Sequence, residues 1–275
     1  MSVLCIYHKN CADGFGAAIA VKKYCEMASL ACDFLAAQFG DAIPDVTDKD
    51  VFIVDFSYPR KTLLLMKEQA KSLKVIDHHK TAQADLQGLD FCVFDMQRSG
   101  AVLTWHTLLP DEPLPLLLAY IQDKDIWQWK LPSSKAVSAA LQILPMTFDQ
   151  WEVYLDDSRI EELISQGEPL LNYQNVQINK ASKGPLPMAN IAGFMVPCIN
   201  VTHLQSEIGN VISEGYPFAA MYMDVEDKRV YSLRSKDDGI DVSLIAKKFA
   251  GGGHKHAAGF SVEKPVIDLS LDAPI

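Results

Sequence analysis

At 275 residues, 49% hydrophobic and 22% charged, the chain is long enough for two ordinary domains and has the composition of a globular protein. No apolar run approaches the roughly 20 residues that cross a bilayer, and the N-terminus has one lysine before Asn10 and no cleavable signal pattern, so neither membrane nor export is expected. The net charge of −10, with no lysine/arginine cluster, argues against long nucleic acid, which is gripped by a basic groove that releases counterions.

In chain order, Leu4-Cys5-Ile6-Tyr7 is a four-residue apolar run ending in His8, with Asp13 shortly after. Gly14 to Met27 is alanine-rich and predicts a crossover helix. Residues 31–39 suit a further strand, and Asp41 to Asp50, with Pro44, a loop. Val51-Phe52-Ile53-Val54 runs into Asp55, and Pro59 is placed to open a second crossover helix, Arg60 to Ser72. Val75-Ile76 runs into Asp77-His78-His79, and Phe91 to Phe94 ends at Asp95. Bounded runs rich in β-branched and aromatic residues, alternating with helical stretches, imply a parallel sheet. Ser99 can cap a helix from Gly100 to Leu109, and Leu114 to Ile121 is an apolar helix running into Gln122-Asp123-Lys124-Asp125.

Residues 131–185 are helical and amphipathic, with Trp151, Leu155, Ile160, Leu163 and Ile164 as core contacts, until Gly184-Pro185-Leu186-Pro187 breaks the pattern. Strand-like alternation follows over Ile191 to Ile199, Phe218 to Val225 and Arg229 to Arg234. A helix from Val242 to Phe249 leads into Gly251-Gly252-Gly253-His254, and Ala257 to Val262 reads as a last strand. The organisation expected is a parallel-sheet domain over 1–130, a helical connector over 131–188 and a second domain over 189–275. Six cysteines without C-x-x-C spacing, several in apolar stretches, fit a reducing cytoplasm.

Ligands of parallel sheets bind beyond the carboxyl ends of the strands. Three strand ends would there deliver His8, Asp55 and His78 into one crevice. Crowded carboxylates repel one another without a cation, so imidazole plus several carboxylates points to divalent metal. Asp13 and Asp123 complete the candidate ligands, with Asp125 competing for the place of Asp123. Carboxylate-heavy sites lean toward Mn²⁺ or Mg²⁺, and four or more ligands could hold two ions about 3.5–4 Å apart, as in phosphoryl transfer. One ion would activate water and the other would hold a phosphate oxygen. Near the other end, Gly251-Gly252-Gly253 permits positive φ and close backbone approach, where N–H groups and His254 could cradle a phosphate. Arg234, beside Ser235, could clamp the same anion with its planar fork.

These motifs resemble the DHH phosphoesterases, named for the sequence that stands here as Asp77-His78-His79, with a DHH-associated C-terminal domain bearing the GGGH of Gly251 to His254. The resemblance spans nearly the whole chain: HKNCADGFGAA (8–18), VDFS (54–57), IDHH (76–79), RSGA (98–101), IQDKDIW (121–127), LRS (233–235) and GGGHKHAAGF (251–260). Within the family the chain looks most like the oligoribonuclease and cyclic-nucleotide phosphodiesterase branch. The resemblance implies an α/β enzyme with an N-terminal parallel-sheet metal domain, a smaller mixed-sheet C-terminal domain and an active site in the cleft between them. It implies that His8, Asp13, His78 and Asp123 bind metal, that Asp55 bridges two ions, and that His79 lies near the metals and the scissile phosphate. Arg234, Ser235 and Gly251 to His254 match the substrate-phosphate grip. One departure stands out. The family's first motif is D-x-D, and Cys11 occupies its first position, where a thiolate would favour a softer ion such as Zn²⁺.

The function expected is hydrolysis of short oligonucleotides or of linear or cyclic nucleotides by water activated between two metals. The alternatives are a pyrophosphatase or polyphosphatase, a nucleotide phosphomonoesterase, and a non-catalytic nucleotide sensor. A homodimer is left open.

Overall fold

The structure is a computed structural model that describes residues 2–38 and 40–264. The chain divides into two compact units, Met1–Leu171 and Asn172–Ile275.

The first unit is built on β1 (Ser2–His8), α1 (Ala12–Met27), β2 (Ala31–Ala37), β3 (Asp50–Val54), α2 (Arg60–Gln69), β4 (Ser72–Asp77), α3 (Lys80–Asp85), β5 (Cys92–Phe94), α4 (Gly100–Leu108), α5 (Leu116–Asp125), α6 (Ser134–Leu141), α7 (Phe148–Glu152) and the start of α8 (Ile160–Ala181). Its five strands are all parallel, in the order β2-β1-β3-β4-β5. Alternate residues of β1 feed two cores. Val3 and Cys5 pack with α1, α4 and α5, while Leu4 and Ile6 pack with Val51, Ile53 and the α2 residues Leu63 and Met66. A sheet covered on both faces explains why its strands read as continuous apolar runs. Of the amphipathic stretch, Trp151, Ile160 and Leu163 are buried, with Leu155 and Ile164 packed against the same core.

The second unit continues with β6 (Met188–Ile191), β7 (Phe194–Asn200), α9 (Gln205–Ile212), β8 (Ala219–Val225), β9 (Lys228–Arg234), α10 (Val242–Lys248), β10 (Gly252–Gly253) and β11 (Ala257–Glu263). Its six strands run β10-β11-β9-β8-β7-β6, antiparallel except for the β7–β8 pair. The architecture is therefore α/β, with a parallel sheet in one unit and a mixed sheet in the other.

Several boundaries differ from the sequence reading. The second crossover helix stops at Gln69, because Ser72 already belongs to β4. Pro59 precedes that helix rather than opening it. The segment expected as one strand from Ile191 is a hairpin, turned by Ala192 and Gly193 with φ of +52° and +88°. Helix α3, six residues with none buried, and helix α9, only eight residues long, escape the sequence reading. The helix expected to end at Ile121 continues to Asp125, which changes which carboxylates it presents.

Candidate metal centre

The strand order β2-β1-β3 places a topological switch between β1 and β3, where crossovers leave in opposite directions and open a crevice. His8 is the last residue of β1, Asp55 follows β3, and Asp77 ends β4 with His78 next. Asp55 adopts φ of +59°, a left-handed conformation that Asp tolerates better than most residues. Gly100, at the start of α4, lies so close that a Cβ there would sit 2.6 Å from the Cβ of Asp55. Asp13 comes from the first turn of α1, and its carboxylate accepts the α4 N–H groups of Gly100 at 2.5 Å and Ala101 at 3.0 Å. The positive end of α4, capped by Ser99, thus holds a buried anion.

Around His78 the carboxylates converge. Its Nε2 lies 3.2 Å from Asp55 Oδ1, 3.4 Å from Asp125 Oδ2 and 3.5 Å from Asp13 Oδ2. The other oxygen of Asp55 lies 3.4 Å from His8 Nδ1, so Asp55 faces both imidazoles. Asp13, Asp55 and His78 are each at most 2% exposed. Ligand atoms of Asp13, Asp55 and His78, and separately of His8, Cys11 and Asp55, lie within 4.8 Å of one another.

The residues fit divalent cations. Octahedral metal–oxygen bonds of about 2.1 Å put neighbouring ligand atoms about 3 Å apart, close to the spacing found around His78. Among the described residues, no lysine or arginine pairs with Asp13, Asp55 or Asp125. Buried carboxylates without such a partner call for a cation.

Burial pushes the Asp13 carboxyl well up, and the charges of Asp55 and Asp125 add to it. Burial works in the same sense on Asp55, but hydrogen bonds from His78 and His8 outweigh it and hold this carboxyl well below its ordinary value. For His78, burial favours the neutral ring; the Asp55 hydrogen bond and the charges of Asp125 and Asp13 prevail and raise it to about 11. Burial, then the charges of Asp55, Asp125 and Asp13, pushes the Cys11 thiol well up. Cys11 is therefore a neutral thiol unless a cation draws its proton away.

His79 has a different role. Asp77 Oδ1 accepts the backbone N–H of His78 at 2.7 Å and lies 2.7 Å from His79 Nδ1. This carboxylate orients the ring and, against the effect of burial, raises its affinity for a proton.

The structure brings together His8, Asp13, Asp55 and His78, with Cys11 beside them. Asp123 is not among them. Its carboxylate accepts the N–H groups of Lys130 at 2.8 Å and Leu131 at 3.1 Å, and its carbonyl accepts those of Gln128 and Trp129. It clasps the turn in which Trp127 and Trp129 both have positive φ. Asp125 occupies the place expected for Asp123. Asp125 lies four residues beyond the buried Ile121, but Asp123 lies three beyond the buried Tyr120 and is itself buried, so helical spacing alone does not tell the two apart.

In the second unit, Arg234 Nη2 donates to Ser206 Oγ at 2.8 Å, and Ser235 Oγ lies 3.0 Å from His256 Nδ1, which gives His256 a partner that the sequence did not suggest. The glycine run is less open than expected. The Gly251 N–H donates to Ala246 and that of His254 to Ala257. Gly252 and Gly253 pair with Gly259 and Ala258 of β11. A Cβ on Gly253, at φ +137°, would meet the carbonyl of Ala257 at 2.6 Å. Close packing against β11 accounts for these glycines, and neither the Gly251 nor the His254 N–H is available to a phosphate.

A family model described as the DHHA1 domain matches residues 201–273. The chain is 32% identical to the uncharacterized protein R106 of Acanthamoeba polyphaga mimivirus, over 93% of this chain and 66% of that protein. It is 25% identical to oligoribonuclease NrnB of Bacillus subtilis (strain 168), over 96% of this chain and 74% of the relative. The fold is similar to that of RecJ from Thermus thermophilus, solved with Mn²⁺, at a TM-score of 0.50 and 15% identity, over 96% of this chain and 50% of RecJ.

Proposed function

We propose that this chain, which belongs to the DHH phosphoesterase superfamily, is a metal-dependent phosphodiesterase that cleaves short oligonucleotides or linear or cyclic nucleotides. The observation that carries this reading is the cage of Asp13, Asp55 and Asp125 around His78 Nε2, at 3.2–3.5 Å, on the switch point of a parallel sheet. A DHHA1 match and the likeness to an oligoribonuclease support the same substrate class.

Asp13, Asp55, His78 and Asp125, with His8 on the far side of Asp55, would hold divalent ions, Mn²⁺ in this proposal. Bound there, such ions supply Lewis-acid polarisation of a phosphoryl oxygen and a hydroxide nucleophile at neutral pH. The chain's own residues do the rest. Asp55 faces both imidazoles and sets the distance between the two halves of the site. The N-terminus of α4 fixes Asp13 before any substrate arrives, so little reorganisation is needed during reaction. His79, held through Nδ1 by Asp77, favours its protonated form and can pass a proton from Nε2 to the oxygen that leaves phosphorus. Arg234 and Ser235 are proposed to bind a substrate phosphate, with the turn at Gly253 and His254 alongside.

The test is release of mononucleotide from RNA two to five nucleotides long by the Mn²⁺-loaded protein, alongside linear and cyclic dinucleotides and inorganic pyrophosphate. Turnover of the nucleotide substrates in preference to pyrophosphate is expected. Absence of turnover on all of them at full metal occupancy, or faster turnover of pyrophosphate, would overturn the reading.

A further inference from the structure

A cavity of about 270 Å³ opens directly off the metal cage within the first unit. Cys11, Asp13 and Asp125 line it, so a group seated there is a neighbour of the caged ions. Its walls come from the start of α1 and from α5, α6 and the turn after α6. Tyr120, Ile121, Leu141 and Met146 give apolar surface, while Asn10, Ser138 and Gln142 give amide and hydroxyl groups. The Tyr120 hydroxyl is already donated to Pro132 at 2.8 Å, which leaves that side chain to act through its ring. Lys124 is the one basic side chain of the lining.

Three features decide what fits. The volume lies just below the roughly 300–1,000 Å³ typical of ligand sites, room for one compact group and not for a strand. A polyphosphate tail would need several cations, and the cavity lining offers a single lysine alongside two carboxylates, Asp13 and Asp125. Apolar walls with a few amide and hydroxyl groups suit a flat ring with a polar edge. We infer that this cavity is a subsite for a single nucleoside, attached to the phosphate held at the metal cage. In this proposal Asn10 and Ser138 meet its polar edge, and the partly exposed Met146 stands at the rim. The inference rests on the phosphodiesterase reading for its phosphate, and it adds why the substrates are short: the cavity accepts one terminal residue and then ends.

Ser138 is partly buried in this wall, and Ser138→Phe fills the space that a base would take. The experiment measures binding of adenosine and guanosine monophosphates to Mn²⁺-loaded protein by calorimetry, for the native chain and the variant, and in parallel KM on a dinucleotide. Mn²⁺ stoichiometry and the melting temperature check that the variant is folded, and Met146→Trp at the rim replaces it if it is not. The expected result is binding of at least one monophosphate by the native chain, weakened ten-fold or more in the variant, with metal stoichiometry unchanged. Equal binding by both proteins, or none by the native chain, overturns the inference. A protein that binds monophosphates through this cavity but cleaves nothing contradicts the phosphodiesterase reading and leaves the subsite intact. An active enzyme whose KM ignores the filled cavity does the reverse.

Discussion

The two units differ most in what they bury. In the first, Asp13, Asp55, Asp77, Asp123 and His78 are all at most 4% exposed. In the second, the buried polar groups among the described residues are the hydroxyls of Ser213, Ser235 and Ser243, and ion pairs such as Arg229–Asp224 lie at the surface. Each unit buries an apolar core of its own, the larger in the first, so hydrophobic burial folds both and the difference lies in the polar groups. A buried hydroxyl can be satisfied by one neighbour, whereas a buried carboxylate group without a basic partner needs an ion. Of the buried carboxylates, Asp123 accepts only backbone N–H groups and Asp77 Oδ1 faces its own histidines; Asp13, though it accepts two N–H groups of α4, also crowds with Asp55 and Asp125 around His78.

The largest test of this contrast is Asp55→Ala. Loss of the group that faces both imidazoles should lower turnover by about 10²–10³, the order seen when a preorganised charge stabiliser is removed. Circular dichroism should show the fold retained. Next comes the pair Asp125→Asn and Asp123→Asn. The first should weaken Mn²⁺ binding about 10–100-fold by calorimetry with little change in melting temperature. The second should leave Mn²⁺ stoichiometry intact and cost about 1–3 kcal/mol of stability, because the Lys130 or Leu131 N–H loses its acceptor. The reverse pattern would return Asp123 to the metal site.

This pair also marks how far the sequence could be read. His8, Asp55 and Asp77 stand at strand ends that apolar runs announce, and the parallel sheet follows from helices between them. Asp123 and Asp125 share one helix end, and what separates them is the following turn, whose N–H groups Asp123 takes up. Gly100 acts through backbone N–H groups brought from 87 residues away to Asp13, a contact that no local pattern encodes. The glycine run was legible as a place of close approach, but what approaches is β11. Helix α9, flanked by turns, gave no periodic signal long enough to recognise.

In the second unit, Gly251→Ala should push a methyl group against Gly259 and Phe260 and destabilise that unit by about 1–3 kcal/mol. Mn²⁺ affinity in the first unit should not move; a parallel loss would mean that the two units do not divide their work as described.

The smallest expected signal is a proton. His78 is raised from 6.5 to about 11 without metal, so the folded protein holds a proton there at pH 7. The stability this contributes is complete below about pH 6.5 and is lost as pH rises through about 11. A metal ion must displace that proton, so Mn²⁺ uptake at pH 7 should release protons and apparent affinity should climb with pH. Calorimetry in buffers of different ionisation enthalpy measures the number released.

The most direct test of the cage is anomalous scattering from a crystal soaked with Mn²⁺. Peaks should fall within bonding distance of Asp13, Asp55, His78 and Asp125, with Asp123 still bound to Lys130 and Leu131. Peaks on other residues, or none at millimolar Mn²⁺, would contradict a metal centre at this switch point.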